Sequence, residues 1–267
     1  MSVRVAVGQI EPIIGDLEGN LTKMNDILDS SSDNQVDVLV LPELANSGYV
    51  FDSREEAYAL SETIPEGDFS RHLLKWSNRG GLVTAGLCER AEGDLYNSAA
   101  IFGAGKHLTT YRKIQLFDKE KEWFLPGNEE PPVIEHNGYR FGIMICFDWA
   151  FPEISRILAI KRAQIILHPA NLVLPFCPDA MITRSIENRV FTATSGRTGE
   201  ERDVHFVGGS QITTPGGEVL LRIGEGVSDL QWADLALIEA DDKTMTARND
   251  AIADRRPDLY KRLTEVP

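Results

Sequence analysis

The stretch Val36-Asp37-Val38-Leu39-Val40-Leu41-Pro42-Glu43 is a short apolar run closed by a proline, and it reads as a buried strand. Upstream, residues 3–10 (Val-Arg-Val-Ala-Val-Gly-Gln-Ile) read as another. Between them Leu21, Met24, Ile27 and Leu28 fall on one face at helical spacing. Asn20 is the expected cap of that helix, and the polar run 30–35 its expected end. Strand, helix and strand in this order argue for helices packed on a sheet, an α/β fold class.

Further along, Asp68 is the expected cap of a helix carrying Phe69, Leu73, Leu74 and Trp76, which Gly80-Gly81 closes. Strands are expected at 82–88, 98–102 and 108–113, with a turn at 103–106. Residues 117–132 are charged and proline-bearing and read as a long loop. Residues 140–146 read as a strand, 152–161 as a helix with proline in its first turn, and 163–168 as a further strand. A helix is expected at 181–190. Strands are expected at 204–212 and 218–223 around Thr-Pro-Gly-Gly, and a last one at 232–240. The tail from Asp241 is polar. No repeat or Gly/Ser linker interrupts this alternation, so residues 1–267 are expected to form a single domain.

The formal net charge of −14 disfavours a nucleic-acid partner and an anionic membrane surface, both of which need a basic face. Three cysteines, Cys88, Cys146 and Cys177, are too few and too odd for a disulfide framework. No window approaches the roughly 18 apolar residues of a spanning helix. The first residues read as a strand rather than a signal peptide. These features predict a soluble, cytoplasmic protein.

Cys146 ends the strand Phe141-Gly142-Ile143-Met144-Ile145 and precedes a short turn and a helix. A nucleophile on such a turn is exposed, with backbone N–H groups near enough to receive an oxyanion. A buried core cysteine is the competing reading. A nucleophilic cysteine needs a base. Of the histidines only His168, which ends the following strand, is expected near it. No HExxH, CxxC or helically spaced His pair suggests a metal. The base is therefore expected to be a carboxylate or a lysine. Glu43 and Lys113 both stand at strand ends, where α/β sheets place their sites.

Leu-Pro-Glu at 41–43, Tyr-Arg-Lys at 111–113 and Ile-Cys-Phe-Asp at 145–148 resemble the three signatures of the nitrilase (carbon–nitrogen hydrolase) superfamily. Val7-Gly8-Gln9, Phe124-Leu125-Pro126-Gly127, Phe151-Pro152-Glu153, His168-Pro169-Ala170-Asn171 and Glu187-Asn188-Arg189 resemble its flanking segments. The resemblance runs from about Val3 to Tyr260. It implies a four-layer αββα sandwich, and a homodimer in which the tail from about residue 241 reaches the interface. It also implies Glu43 as general base, Lys113 as oxyanion stabiliser and Cys146 as nucleophile, with the Phe147 N–H assisting. Glu120 matches the family's second glutamate, with Glu122 close enough in sequence to compete. No cofactor or metal is implied.

Phe147-Asp148 follows the cysteine where true nitrilases carry Trp-Glu, so the resemblance favours amides over nitriles, as in short aliphatic-amidase-type members. The expected substrate contacts are Tyr49, Phe147, Trp149 and Asn171, and Phe176 and Trp123 are further ring-bearing candidates. An N-carbamoyl amino-acid hydrolase or an ω-amidase on the same residues is the alternative. A carbamoyl amino acid would need a cation for its carboxylate, from Arg184, Arg189 or Arg197. A catalytically silent binding member is a third reading. Cys88 is expected in the core and Cys177 in an accessible loop.

Overall fold

The computed structural model describes residues 2–265. Its strands in chain order are β1 (Val3–Gln9), β2 (Val38–Val40), β3 (Leu82–Ala91), β4 (Asp94–Gly103), β5 (Lys106–Arg112), β6 (Val133–His136) and β7 (Tyr139–Ile143). They continue with β8 (Ile165–Ala170), β9 (Phe191–Gly196), β10 (Thr198–Glu201), β11 (Val204–Val207), β12 (Gln211–Thr213), β13 (Val219–Arg222) and β14 (Asp229–Leu235). The helices are α1 (Leu17–Asp33), α2 (Arg54–Ala59), α3 (Asp68–Ser77), α4 (Glu120–Trp123), α5 (Pro152–Ile160) and α6 (Cys177–Asn188).

Two six-stranded sheets run β14-β1-β2-β3-β4-β5 and β6-β7-β8-β9-β12-β13. Both share one pairing pattern. The second, third and fourth strands are parallel (β1, β2, β3 and β7, β8, β9), and every other neighbour is antiparallel. Strand alternation sends Val5, Val7, Val38, Val40 and Ile101 inward to meet Phe141, Ile143, Ile165, Leu167 and Ala193 of the other sheet. The opposite face of the first sheet, with Ala6, Leu39, Val83 and Phe102, is covered by Met24 and Leu28 of α1 and Phe69, Leu73 and Trp76 of α3. Burying Phe69 or Leu73 fully contributes about 1.5–3 kcal/mol each. Gly142 lets α5 lie against β7, since a Cβ there would come 3.1 Å from Leu158. With α5 and α6 on the outer face of the second sheet, the layers are α, β, β, α. The inner faces of the two sheets share one core. Among the described residues no helix is long and apolar enough to cross a membrane.

Several boundaries differ from the sequence expectation. Asp16, not Asn20, caps α1 by accepting from the Gly19 N–H. Asn20 is buried inside the helix and ties down the carbonyls of Ile13 and Asn46. Asp68 is the first residue of α3, and the start of that helix is capped from a distance. The Glu62 carboxylate accepts from the Phe69 and Ser70 N–H groups at 3.0 and 2.9 Å. The expected loop 117–132 contains α4. The expected strand 204–212 is broken by Gly208-Gly209, both at positive φ, into β11 and β12. The expected strand 232–240 is instead β14 followed by a 3-10 turn, Leu237–Asp241. Cys177 is not in an accessible loop: it opens α6 and is fully buried.

Candidate active site

Glu43 leaves the end of β2 on a segment pressed against β3. The Leu41 N–H donates to the Thr84 carbonyl, and the Ala45 N–H to that of Gly86. Gly86 is required there, because a Cβ would come 2.3 Å from the Glu43 Cα. Lys113 follows β5, with its N–H on the Asn97 carbonyl and its own carbonyl receiving the Gly127 N–H. Gly127 is the glycine of Phe124-Leu125-Pro126-Gly127. A Cβ there would meet the Arg112 carbonyl at 2.1 Å, which explains why this turn can close over β5.

Lys113 is buried between two carboxylates. Its Nζ donates to Glu43 Oε1 at 2.7 Å and to Glu120 Oε1 at 2.8 Å. Glu120, the first residue of α4, is thus the one of the two glutamates that touches Lys113, and Glu122 is exposed. Burial pulls the Lys113 ammonium down, but the charges of Glu120 and Glu43 outweigh it and leave the group well above the usual lysine value. Burial raises the Glu120 carboxyl against the opposing charge of Lys113. Tyr49 Oη also donates to Glu120 Oε1, at 2.7 Å, and the Phe117 N–H to Oε2 at 3.2 Å. Asn97 Nδ2 donates to Glu43 Oε1 at 2.7 Å. Glu43 Oε2 is buried without a protein partner.

Cys146 sits at positive φ (39°), where β7 and its extension give way to a 3-10 turn over Cys146–Ala150. Asp148 clamps this elbow. One carboxylate oxygen accepts from the Ile145 N–H (2.9 Å) and Tyr111 Oη (2.8 Å), the other from the Gln115 N–H (3.1 Å). Burial pushes the Asp148 carboxyl up to about 6, against the Ile145 hydrogen bond and the Lys113 charge. Burial and then the Glu43 charge push the Cys146 thiol well above its ordinary value, while Lys113 pulls it down. The thiol rests 3.6 Å from the Asn171 carbonyl.

His168 is near, but not as a base. Its Nε2 lies 3.0 Å from the Cys146 carbonyl, which can only accept, so Nε2 carries the proton and Nδ1 accepts from Thr194 Oγ1. Burial lowers its pKa to about 4, so the ring stays neutral. Among the described residues no group of three or more His, Cys, Asp and Glu side chains could hold a metal.

Of the expected substrate contacts, Phe147, Trp149 and Asn171 line a narrow cleft with Cys146, Phe117 and Leu172. Both side-chain polar atoms of Asn171 are buried without a protein partner. Tyr49 lies in an adjoining cavity of about 210 Å³ with Phe51, Phe117, Trp123 and Val204. Phe176 is 61% exposed and lines neither. The three arginines are engaged elsewhere. Arg184 donates to the Trp149 carbonyl and Glu187, Arg189 to the Pro215 carbonyl, and Arg197 to Glu201 and the Pro12 carbonyl. Sequence reasoning placed Tyr111 and Asp148 in the signatures without giving either a structural role, and it missed Asn97 and Glu201 as partners of the site. Asp148 had one usable signal, its place two residues after the cysteine.

Fold and site together define the class, an enzyme of the nitrilase superfamily. The chain belongs to the carbon-nitrogen hydrolase family, whose model matches residues 4–242. It is 40% identical to a nitrilase of Pyrococcus abyssi over 97% of this chain and 100% of that one. It is 30% identical to an (R)-stereoselective amidase of a Pseudomonas species over 99% and 96%. An amidase from a Nesterenkonia species superposes with a TM-score of 0.82 at 27% identity, covering 98% of this chain and 96% of that one. A mutant of the Nesterenkonia enzyme has been captured with acrylamide added at its active site cysteine.

Proposed function

We propose that the protein hydrolyses small neutral amides to a carboxylic acid and ammonia through a thioester on Cys146. The observation that carries the reading is the buried Lys113 held between the carboxylates of Glu43 and Glu120. Glu43 takes the thiol proton as the sulfur attacks the amide carbon. Negative charge develops on the carbonyl oxygen, where Lys113 and the Phe147 N–H receive it. Glu43 returns the proton to the nitrogen, and ammonia leaves. Glu43 then takes a proton from water as that water attacks the thioester, and as the carbon–sulfur bond breaks and the acid departs Glu43 gives that proton to the sulfur, which restores the thiol and the carboxylate. Glu120 keeps Lys113 charged and in place. Phe147, Trp149 and Asn171 receive the amide, and the cavity beside Tyr49 takes its apolar part.

The three arginines are engaged with protein partners, so none of them is free to hold the carboxylate of a carbamoyl amino acid, and the reading of neutral amides over half-amides of diacids rests on the substrate panel below. Besides Glu120, the charged residues of the cavity are Asp118 and Lys119, of opposite sign. A panel of aliphatic amides, half-amides of diacids, nitriles and N-carbamoyl amino acids, read by ammonia and carbon dioxide release, tests this. Aliphatic amides are expected to turn over fastest. Carbon dioxide from carbamoyl substrates, or faster nitrile or half-amide turnover, overturns it.

The reading includes a homodimer with the tail from about residue 241 at its interface. Phe176, Ile238, Leu259 and Leu263 are each more than 60% exposed, apolar side chains that a second copy would cover. Light scattering at micromolar protein is expected to give twice the chain mass, and a monomer overturns the dimer. Three free buried cysteines support a cytoplasmic location.

A further inference from the structure

Tyr49 touches Glu120, and its loop is turned locally by the Gly48 N–H on the Leu44 carbonyl and the Phe51 N–H on the Tyr49 carbonyl, but the N–H groups of Tyr49 and Val50 find their partner outside the loop. Gly48 precedes it at positive φ (84°), and a Cβ at Gly48 would come 2.6 Å from Glu201 Oε1. Glu201, at the end of β10, lies about 150 residues away in sequence and reaches under this loop. Its Oε2 accepts from both the Tyr49 N–H (2.7 Å) and the Val50 N–H (2.6 Å). Its Oε1 accepts from Arg197 Nη1 at 3.0 Å, and Arg197 Nη2 donates to the Pro12 carbonyl at 2.6 Å. The Arg197 guanidinium lies 4.0 Å from the centre of the Phe206 ring, and the same ring packs edge-on against Tyr49 at 5.8 Å. On the turn after β10, Arg202 donates to the Val50 carbonyl.

We infer that Glu201, held by Arg197, is a positioning residue that fixes the Tyr49 loop so that the Tyr49 hydroxyl sets Glu120 against Lys113. The inference rests on the reading of Cys146, Lys113 and Glu120 as the reacting site. A buried carboxylate with one oxygen on a cation and the other on two adjacent backbone amides defines a position, not only a contact. The connection then runs Arg197, Glu201, Tyr49 backbone, Tyr49 hydroxyl, Glu120, Lys113. The loop also carries Tyr49, Val50 and Phe51 into the apolar cavity, so the same anchor shapes that wall.

The test is a double-mutant cycle on the full chain with Glu201→Gln and Tyr49→Phe. Two readouts are taken: kcat/KM on the best amide, and the rate of Cys146 alkylation by iodoacetamide, followed by peptide mass. Each single change is expected to lower both by about ten- to a hundredfold, the upper end being the loss that a misplacement of about 1 Å produces. The double change is expected to fall within about threefold of the worse single, because both act through one hydroxyl. Losses that multiply, or a folded Glu201→Gln protein with unchanged rates, overturn the inference. If Glu201→Gln does not fold, because Arg197 is left buried and unpaired, the paired change Arg197→Met with Glu201→Gln replaces it and is read the same way. If the wild type turns over no amide, the reading of function fails, and the alkylation cycle alone decides the role of Glu201.

Discussion

Cys146→Ala is expected to yield a folded protein that releases no ammonia from any amide the wild type accepts. Removing the covalent nucleophile of an acyl-transfer site costs on the order of 10⁶ in kcat. The fold is not at stake. Cysteine and alanine are both disfavoured at the positive φ of this position, and the elbow is held by Asp148 and by the His168 bond to the Cys146 carbonyl, neither of which uses the thiol. The melting temperature is therefore expected to move by no more than a few degrees, corresponding to about 1 kcal/mol. Cys88→Ala and Cys177→Ala are the matched controls. Both thiols are fully buried and raised by that burial, and both lie outside the cleft, so ammonia release is expected to persist. Turnover that survives Cys146→Ala, or is lost in Cys177→Ala, assigns the nucleophile elsewhere.

What the sequence discloses and what it hides divide along a physical line. Glu43, Lys113 and Cys146 are legible because each follows a strand, and strand ends can be read from local apolar runs. The βαβ opening is legible for the same reason. The partners that hold these residues are not. Asn97 reaches Glu43 across the sheet, Tyr111 reaches Asp148 from the other sheet, and Glu201 reaches Tyr49 from a separate ribbon. No periodicity encodes a contact between segments that meet only after the two sheets pack. The boundary errors have local causes. Asn20 has the right chemistry for a cap, but Asp16 has it one turn earlier, and burial gives Asn20 another task. Pro178 beside Cys177 is a first-turn proline and was the available sign that α6 begins there. The Gly208-Gly209 pair likewise marked the break between β11 and β12.

Lys113→Met separates the electrostatic part of this design from the covalent part. Activity is expected to fall by about 10³-fold or more, since the main charge facing the developing oxyanion is gone. Stability is expected to change as well, and to do so with pH. The lysine side chain is fully buried, and without it Glu43 and Glu120 face each other with no cation between them. Burial already raises Glu120, and Lys113 is the largest opposing influence, so its loss raises that carboxyl further. An acid whose folded pKa lies above its unfolded value costs no stability while it is protonated in both states. It loses stability as pH rises through the folded value. The deficit of Lys113→Met against wild type is therefore expected to be small in acid and to grow toward alkaline pH. There it approaches the roughly 3–5 kcal/mol of a buried charge left unpaired. Denaturant melts of both proteins across that range measure it. A deficit that is constant with pH means the two carboxylates do not share their site in the way the hydrogen bonds to Lys113 imply. In that case the wild-type lysine serves packing more than charge. A deficit that grows with pH while Cys146 stays alkylatable shows a site assembled around a single positive charge, with the sulfur chemistry added to it.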